Sequence, residues 1–271
     1  MRRFLKFFAR LSALLLGLSL CISPLRGFAA YNFEYERTVG NPLKGFMPFY
    51  SPDGADDSVP YSMEWFYIPL SALISDSGEY TVREGLEPYL EAISARGNQA
   101  VFRVYLDYPG SDIGEKAVPR FIWDMGIKKE RYDEYGGGFC PDYSDGRLID
   151  ILCDFVRELA CEYDGDRRIA YITTGLLGHW GEWHVCLPEL EATNEQKAKI
   201  ISAFAQSFKV TRILTRYPGT PGTTRKGNVG FHDDSFTHST LYDESWHFMA
   251  KMKKARQTGV WKNQPIGGEF R

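Results

Sequence analysis

The chain has 271 residues, 44% apolar and 25% charged, a globular balance with apolar mass for one sizeable core, so disorder is excluded as its default state. A net charge of −3 leaves no broad basic surface, which argues against a nucleic-acid partner. Aromatic residues reach 15%, and many fall in segments that read as loops or strand ends, a placement suited to a site that uses ring faces.

Residues 1–30 differ from the rest. "MRRFLKFFAR" carries positive charge, "LSALLLGLSLCI" is a short apolar run, and "RGFAA" offers a small-residue exit, the order of parts in a secretory signal peptide. A membrane span takes about 20 apolar residues, so no stable span is expected once this segment is cleaved. The expected division is therefore a signal peptide at 1–30 and a single domain at 31–271, exported to the periplasm, cell surface or exterior. Export would remove Cys21 and leave Cys140, Cys153, Cys161 and Cys186. Cys153 and Cys161 are too distant along an expected helix to bridge each other. Cys140 and Cys186, both in expected loops, are the pair open to a disulfide, with four free thiols as the alternative.

From residue 41 short apolar strands alternate with amphipathic helices, and no Ser/Gly-rich linker interrupts them. "LKGFMPFY" (43–50) is the first expected strand and "EWFYIPL" (64–70) the second. Thr81 and Glu84 form an expected capping box, Leu86, Tyr89, Leu90 and Ile93 the helical stripe, and Gly97 the close. "AVFRVYLD" (100–107) is the third strand. The connection over 108–146 is long enough to be functional or disordered.

A helix is expected from Asp145 to Tyr163, with Leu148, Ile149, Leu152, Val156, Leu159, Ala160 and Tyr163 on one face. "RRIAYITTGLLG" (167–178) is the fourth strand. Thr193 and Gln196 cap the next helix, whose buried stripe is Ile200, Ile201, Phe204 and Phe208. "TRILTRY" (211–217), "GNVGFHDD" (227–234) and "QPIGGEF" (264–270) are the fifth to seventh strands, with a helix around 245–257 before the last.

Seven strands, most followed by a helix, give the order of an α/β fold of the (β/α)8 TIM-barrel type. An open doubly wound sheet shares this alternation, but no G-x-G-x-x-G follows the first strand, which counts against a dinucleotide fold. The sequence stops at Arg271, directly after the seventh expected strand, so the expectation is a barrel truncated there.

In such a barrel the site lies at the C-terminal strand ends. Those ends carry Arg103 and Asp107 on the third strand, Glu182 beyond the fourth, Arg216 and Tyr217 on the fifth, His232, Asp233 and Asp234 on the sixth, and Glu269 on the seventh. Glu182 and Glu269 form a pair across the barrel mouth, the arrangement glycoside hydrolysis requires: one carboxyl protonates the leaving oxygen while the other attacks the anomeric carbon or activates water. Trp180 and Trp183 would supply an apolar setting and rings to stack on sugar. The candidate catalytic residues are therefore Glu182 and Glu269, and the candidate substrate-binding residues Arg103, Asp107, Trp180, Trp183, His184, Arg216, His232 and Asp233.

The positions of Glu182 and Glu269 resemble those of the clan of retaining glycoside hydrolases that place an acid/base Glu after strand four and a nucleophile Glu after strand seven. "NPLKGFMPFY", "FRVYLDYPG", "PDYSDGRLID" and "RRIAYITTGLLGHWGEWH" are also similar to a group of exported bacterial barrel proteins of unknown function, over most of residues 41–271. The first resemblance implies hydrolysis of a carbohydrate. This sequence departs from the clan in one place: the clan usually has Asn before the acid/base Glu, to meet the sugar 2-hydroxyl, and here stands Gly181.

Two other readings of "GLLGHWGEWHVC" (175–186) compete. A metal site would use His179, Glu182 and His184, with Cys186 as an optional fourth ligand, but His179 and His184 are five apart around a strand end and miss the H-E-x-x-H spacing, so no metal and no cofactor is expected. A packed strand end explains the tryptophans but leaves a carboxylate in need of a partner such as Arg103 or Arg216. The functional alternatives are then a glycosidase acting on an extracytoplasmic carbohydrate and a non-catalytic carbohydrate-binding barrel.

Overall fold

A computed structural model describes residues 43–55, 60–223, 228–241 and 244–270. The expected signal peptide at 1–30 lies outside them.

The fold is α/β, built on an open, curled sheet of six parallel strands. In chain order the strands among the described residues are β1 (Met63–Pro69), β2 (Gln99–Tyr105), β3 (Lys129–Tyr132), β4 (Gly138–Pro141), β5 (Ile169–Thr173), β6 (Arg212–Thr215), β7 (Val229–Phe236) and β8 (Ile266–Phe270). The large sheet runs β1-β2-β5-β6-β7-β8, while β3 and β4 pair as a separate antiparallel hairpin. Five α-helices are described: α1 (Val82–Ala95), α2 (Arg120–Asp124), α3 (Gly146–Tyr163), α4 (Asn194–Ser207) and α5 (Phe248–Lys254).

Alternation along the strands separates two faces. Phe66, Ile68, Phe102, Val104, Ile172 and Ile213 point outward and join the buried stripes of α1, α3 and α4 in the main core. The stripes are those the periodicity predicts: Leu86, Leu90 and Ile93 on α1, and Leu148, Leu152, Val156 and Leu159 on α3. The concave face carries a smaller apolar layer of Met63, Trp65, Val101 and Ala170. Above it sits a layer of polar groups, and contacts across this interior hold the curl. Trp65 on β1 stacks on His232 of β7 at 5.0 Å, and Tyr67 of β1 reaches Glu269 of β8.

Several local expectations are corrected. The first expected strand, 43–50, is reduced to one parallel bridge, Phe49 to Trp65, with Tyr50 N donating to Trp65 O at 2.7 Å. Pro48 has no N–H to extend the ladder, and Leu43 and Gly45 turn the chain into the left-handed region at φ 64° and 98°. Thr81 makes no side-chain cap on α1, whereas the Thr193–Gln196 box on α4 is complete. The fourth expected strand ends at Thr173, five residues early. The long connection over 108–146 is ordered by α2 and the β3–β4 hairpin. The described cysteines, including Cys140 and Cys186, are free thiols. Among the described residues no helix is long and apolar enough to cross a membrane.

Candidate active site

β5 stops where its chain leaves the sheet through a tight loop. Between 175 and 183, Gly175, Gly178 and Gly181 take positive φ, and so do Leu176, Trp180 and Trp183, at 64°, 52° and 65°. Side chains in this region cost strain that surrounding structure must hold.

Asp107, just past β2, supplies the anchor. Its Oδ1 accepts from Tyr132 Oη at 2.7 Å and its Oδ2 lies 2.6 Å from His179 Nδ1. His179 Nε2 accepts from Cys186 N at 2.9 Å, so the ring proton is on Nδ1 and is donated to Asp107. Burial, then the Asp107 charge, raises the Tyr132 phenol well above its ordinary range, keeping it a donor. Trp183 is 3% exposed and donates Nε1–H to Gly175 O at 2.8 Å. Both Asp107 and Trp183, expected at the substrate, are therefore internal supports of the loop: the turn directs Trp183 inward, and Tyr132 and His179 hold Asp107 beneath it.

The loop delivers Glu182 to a charged cluster on the concave face. Arg216, just beyond β6, donates Nη1–H to Glu182 Oε2, and the same nitrogen lies 3.2 Å from His184 Nδ1. Arg103 on β2 is 1% exposed. It donates to Asp234 of β7 through Nη2 and to Thr173 through Nε at 3.2 Å, and its Nη1 stands 3.9 Å from Glu182. His232 Nδ1 lies 2.8 Å from Asp234 Oδ1, and Arg216 Nε is 3.4 Å from Asp234 Oδ2. Glu269 on β8 accepts from Tyr67 Oη at 2.8 Å. Glu182, Asp234 and Glu269 each place an oxygen within 4.8 Å of the other two.

Three carboxylates so close repel one another, and the two guanidiniums offset that repulsion. Burial alone would raise the Asp234 pKa, but the Arg103 charge, followed by His232 and Arg216, holds it far below the ordinary carboxylate range. The Tyr67 phenol goes the other way, raised by burial and by Glu269 against the pull of Arg103, so it donates at any physiological pH. Three oxygens at this spacing could also face a cation. Here Arg103 and Arg216 already sit on those carboxylates, so the positive charge a cation would bring is present in the chain.

The structure thus brings together Glu182, Glu269, Arg103, Arg216, His232 and His184. Trp180 stands at the rim, edge-on to Tyr135 at 5.3 Å. Asp233 is turned to the opposite side of β7 from His232 and accepts from Thr240 Oγ1 at 2.6 Å and Ser235 N at 3.3 Å. Strand alternation explains it: His232 and Asp234 share a face, so the partner of His232 is Asp234, not Asp233. The same rule applied to "EWFYIPL" puts Tyr67 beside the inward Trp65, a signal present in the sequence. Tyr135, at the tip of the β3–β4 hairpin, had no such signal.

Gly181, the position where the retaining clan usually has Asn, has φ +70°. A Cβ there would meet Gly175 Cα at 3.0 Å, Arg103 Cδ at 3.1 Å and Val104 O at 3.1 Å. With positive φ and this crowding by backbone and a buried arginine, a side chain here would be strained and its neighbours would have to shift. Gly181→Ala is expected to lower stability by about 2–4 kcal/mol from strain and overpacking, measured by denaturant unfolding; an unchanged midpoint would show that the loop accommodates the methyl.

No family model and no curated protein sequence matches the chain. Solved structures do. Endo-glycoceramidase II from Rhodococcus sp. in an iminocyclitol complex aligns with a TM-score of 0.51 at 13% identity, covering 83% of this chain and 64% of that one. The same protein in its ganglioside GM3 complex aligns at 0.50 and 14%, covering 81% and 65%. The likeness is one of fold. This chain spans somewhat under two thirds of the length of the endo-glycoceramidase chain.

Proposed function

We propose that this chain carries the catalytic centre of a retaining glycoside hydrolase acting on a carbohydrate outside the cytoplasm, with Glu269 as nucleophile and Glu182 as acid/base. The observation that carries the reading is the approach of one oxygen of Glu182 to within 4.8 Å of one of Glu269, at the C-terminal ends of the strands. Retaining enzymes hold their carboxyls about 5–5.5 Å apart and inverting ones about 6.5–9.5 Å, so this spacing favours the retaining geometry. The fold shared with a glycoceramidase supports the same class.

In the first step Glu269 attacks the anomeric carbon as the glycosidic C–O bond breaks, and the leaving oxygen takes a proton from Glu182. In the second, water attacks the glycosyl ester, Glu182 takes its proton, and the ester bond to Glu269 breaks. Tyr67 fixes the rotamer of Glu269 through the 2.8 Å hydrogen bond. Arg216 donates to Oε2 of Glu182, which leaves Oε1 as the oxygen to carry the proton that is donated.

The test is a hydrolysis screen across glycosides with the wild type, Glu182→Gln and Glu269→Gln, following anomeric configuration of the product by NMR. Retention, and loss of turnover in both variants, supports the assignment; inversion, or turnover unaffected by either change, removes it. Tyr67→Phe is expected to lower kcat about tenfold with little change in KM, the mark of a group that orients the nucleophile rather than binds substrate. A change confined to KM would place Tyr67 on the sugar instead. A non-catalytic carbohydrate-binding barrel remains the reading that inactive wild type with retained glycan affinity would support.

A further inference from the structure

The net charge of −3 is spread unevenly: residues 245–268 contain five Lys or Arg and no Asp or Glu. The fold brings cations from other segments to the end of this one. β5, β6, β7 and β8 are parallel neighbours, so the turns that precede them meet on one rim, at the opposite end of the sheet from the carboxylate mouth. Hydrogen bonds knit that rim together. Gln99 Nε2 donates to Arg167 O at 2.8 Å, the Asp164 carboxylate accepts from the backbone N–H groups of Lys209, Val210 and Thr211 at 2.8, 2.9 and 2.8 Å, and Arg212 Nη1 donates to Gln264 Oε1 at 3.5 Å.

Arg167, Lys209, Arg212 and Lys262 are exposed along this rim, and none of the four has an ion-pair partner among the described residues. The carboxylates of the turn before β5 do not offset them: Asp164 is taken by the three backbone N–H groups, and Asp166 by Arg168. The same turns carry Val210 and Trp261, the two most exposed large apolar side chains among the described residues, at 66% and 64%. Lys262 Nζ stands 5.8 Å from the centroid of the Trp261 ring, so cation and indole are presented together. Inward-facing Phe208 and Val260 anchor these two turns in apolar clusters, which fixes what the turns show to solvent.

We propose that this rim docks on an anionic lipid bilayer, with Arg167, Lys209, Arg212 and Lys262 against headgroup phosphates and Trp261 and Val210 at the apolar boundary. Cations alone would serve a soluble polyanion. A bilayer surface also rewards an exposed indole and an aliphatic side chain set among them, because the interface is polar on one side and apolar on the other. The side chains stand on turns at strand starts, which suits a broad surface. Docking by this end leaves the carboxylate mouth uncovered, and no rim residue belongs to the cluster, so the inference stands independently of the hydrolase reading.

The test is co-sedimentation of the full chain with vesicles of phosphatidylcholine alone and of phosphatidylcholine mixed equally with phosphatidylglycerol. The wild type is expected to bind the mixed vesicles at least about tenfold tighter at low salt, with the preference falling as ionic strength rises. Each of Arg167→Gln, Lys209→Gln, Arg212→Gln and Lys262→Gln should weaken that binding about fivefold, and the four together should abolish the preference. Lys128→Gln with Arg131→Gln, equally exposed on the β3–β4 hairpin, should leave it intact. All these side chains face solvent, so the unfolding midpoint should hold and the loss would not be one of folding. Residues 1–30, basic and apolar, add a background that rim substitutions do not touch; a preference that survives the fourfold variant belongs to that segment and overturns the inference. Trp261→Ala is expected to weaken binding several-fold, and an unchanged affinity overturns the bilayer assignment. So does retention by heparin or duplex DNA in the absence of vesicle binding, which would give the rim to a soluble polyanion.

Discussion

Asp234→Asn is expected to destabilise the fold by about 3–5 kcal/mol, the cost of leaving a buried guanidinium without its counter-charge. Arg103 is 1% exposed and Asp234 5%, and the pair crosses the concave face from β2 to β7. The hydrogen bond of His232 to this side chain would lose its charge assistance as well. The measurement is the denaturant midpoint at neutral pH. Because the single variant risks not folding, Arg103→Met with Asp234→Leu provides the second arm. Removing both charges together is expected to cost less than Asp234→Asn alone, and an equal or greater cost would show that the loss comes from packing rather than from the unpaired charge.

The pH dependence follows from the same pair. The folded pKa of Asp234 is depressed below the unfolded value, first against burial and then by Arg103. Its contribution is therefore fully present above the unfolded carboxyl pKa of about 3.9 and is lost as pH falls below that value. Wild-type stability should decline with acid in this range, and Asp234→Asn should flatten part of that slope. A variant with the wild-type slope would show that other carboxylates, such as Glu87 with Arg168, carry the acid sensitivity.

Under the proposed retaining mechanism, Glu269→Gln is the change expected to affect turnover most, by about 10⁴-fold or more, because the amide would not form the glycosyl ester. Glu182→Gln is expected to cost about 10²–10⁴-fold on substrates with a sugar leaving group. With an activated aryl leaving group, which departs without a proton, the first step in Glu182→Gln should be nearly preserved and a burst of the phenol should precede slow deglycosylation. Equal losses on both kinds of substrate would sink the acid role for Glu182. Both residues are partly exposed at the concave mouth, so neither substitution should shift the unfolding midpoint strongly, and the activity loss would not be a folding effect.

The fold class was legible because burial on one face imposes a period. The 3.6-residue stripes of α3 and α4 and the apolar runs of β1, β2 and β5 follow from which residues must leave water. Segments with no such period were not. The region 43–50 has strand composition, yet Pro48 and the positive φ of Leu43 and Gly45 limit it to one bridge. The β3–β4 hairpin lay inside what looked like a structureless connection. Tyr132 of β3 is what holds Asp107 away from the mouth.

What the sequence determined by itself is the alternation of strand and helix, the outward core, and the segments that carry Glu182, in the loop after β5, and Glu269, on β8. Each depends on near neighbours and on the periodicity of burial. Only the tertiary structure decided that Trp183 packs inside the loop while Trp180 reaches the rim, that a side chain at position 181 would be strained, and that Arg103 and Arg216 offset the charge between the carboxylates, whereas the choice of Asp234 over Asp233 follows from strand alternation once β7 is known. Those outcomes depend on groups up to 202 residues apart, as Tyr67 and Glu269 are, brought together across a curled sheet. No local pattern encodes such a pairing, because its energy comes from shared burial of charges whose partners the chain meets only on folding.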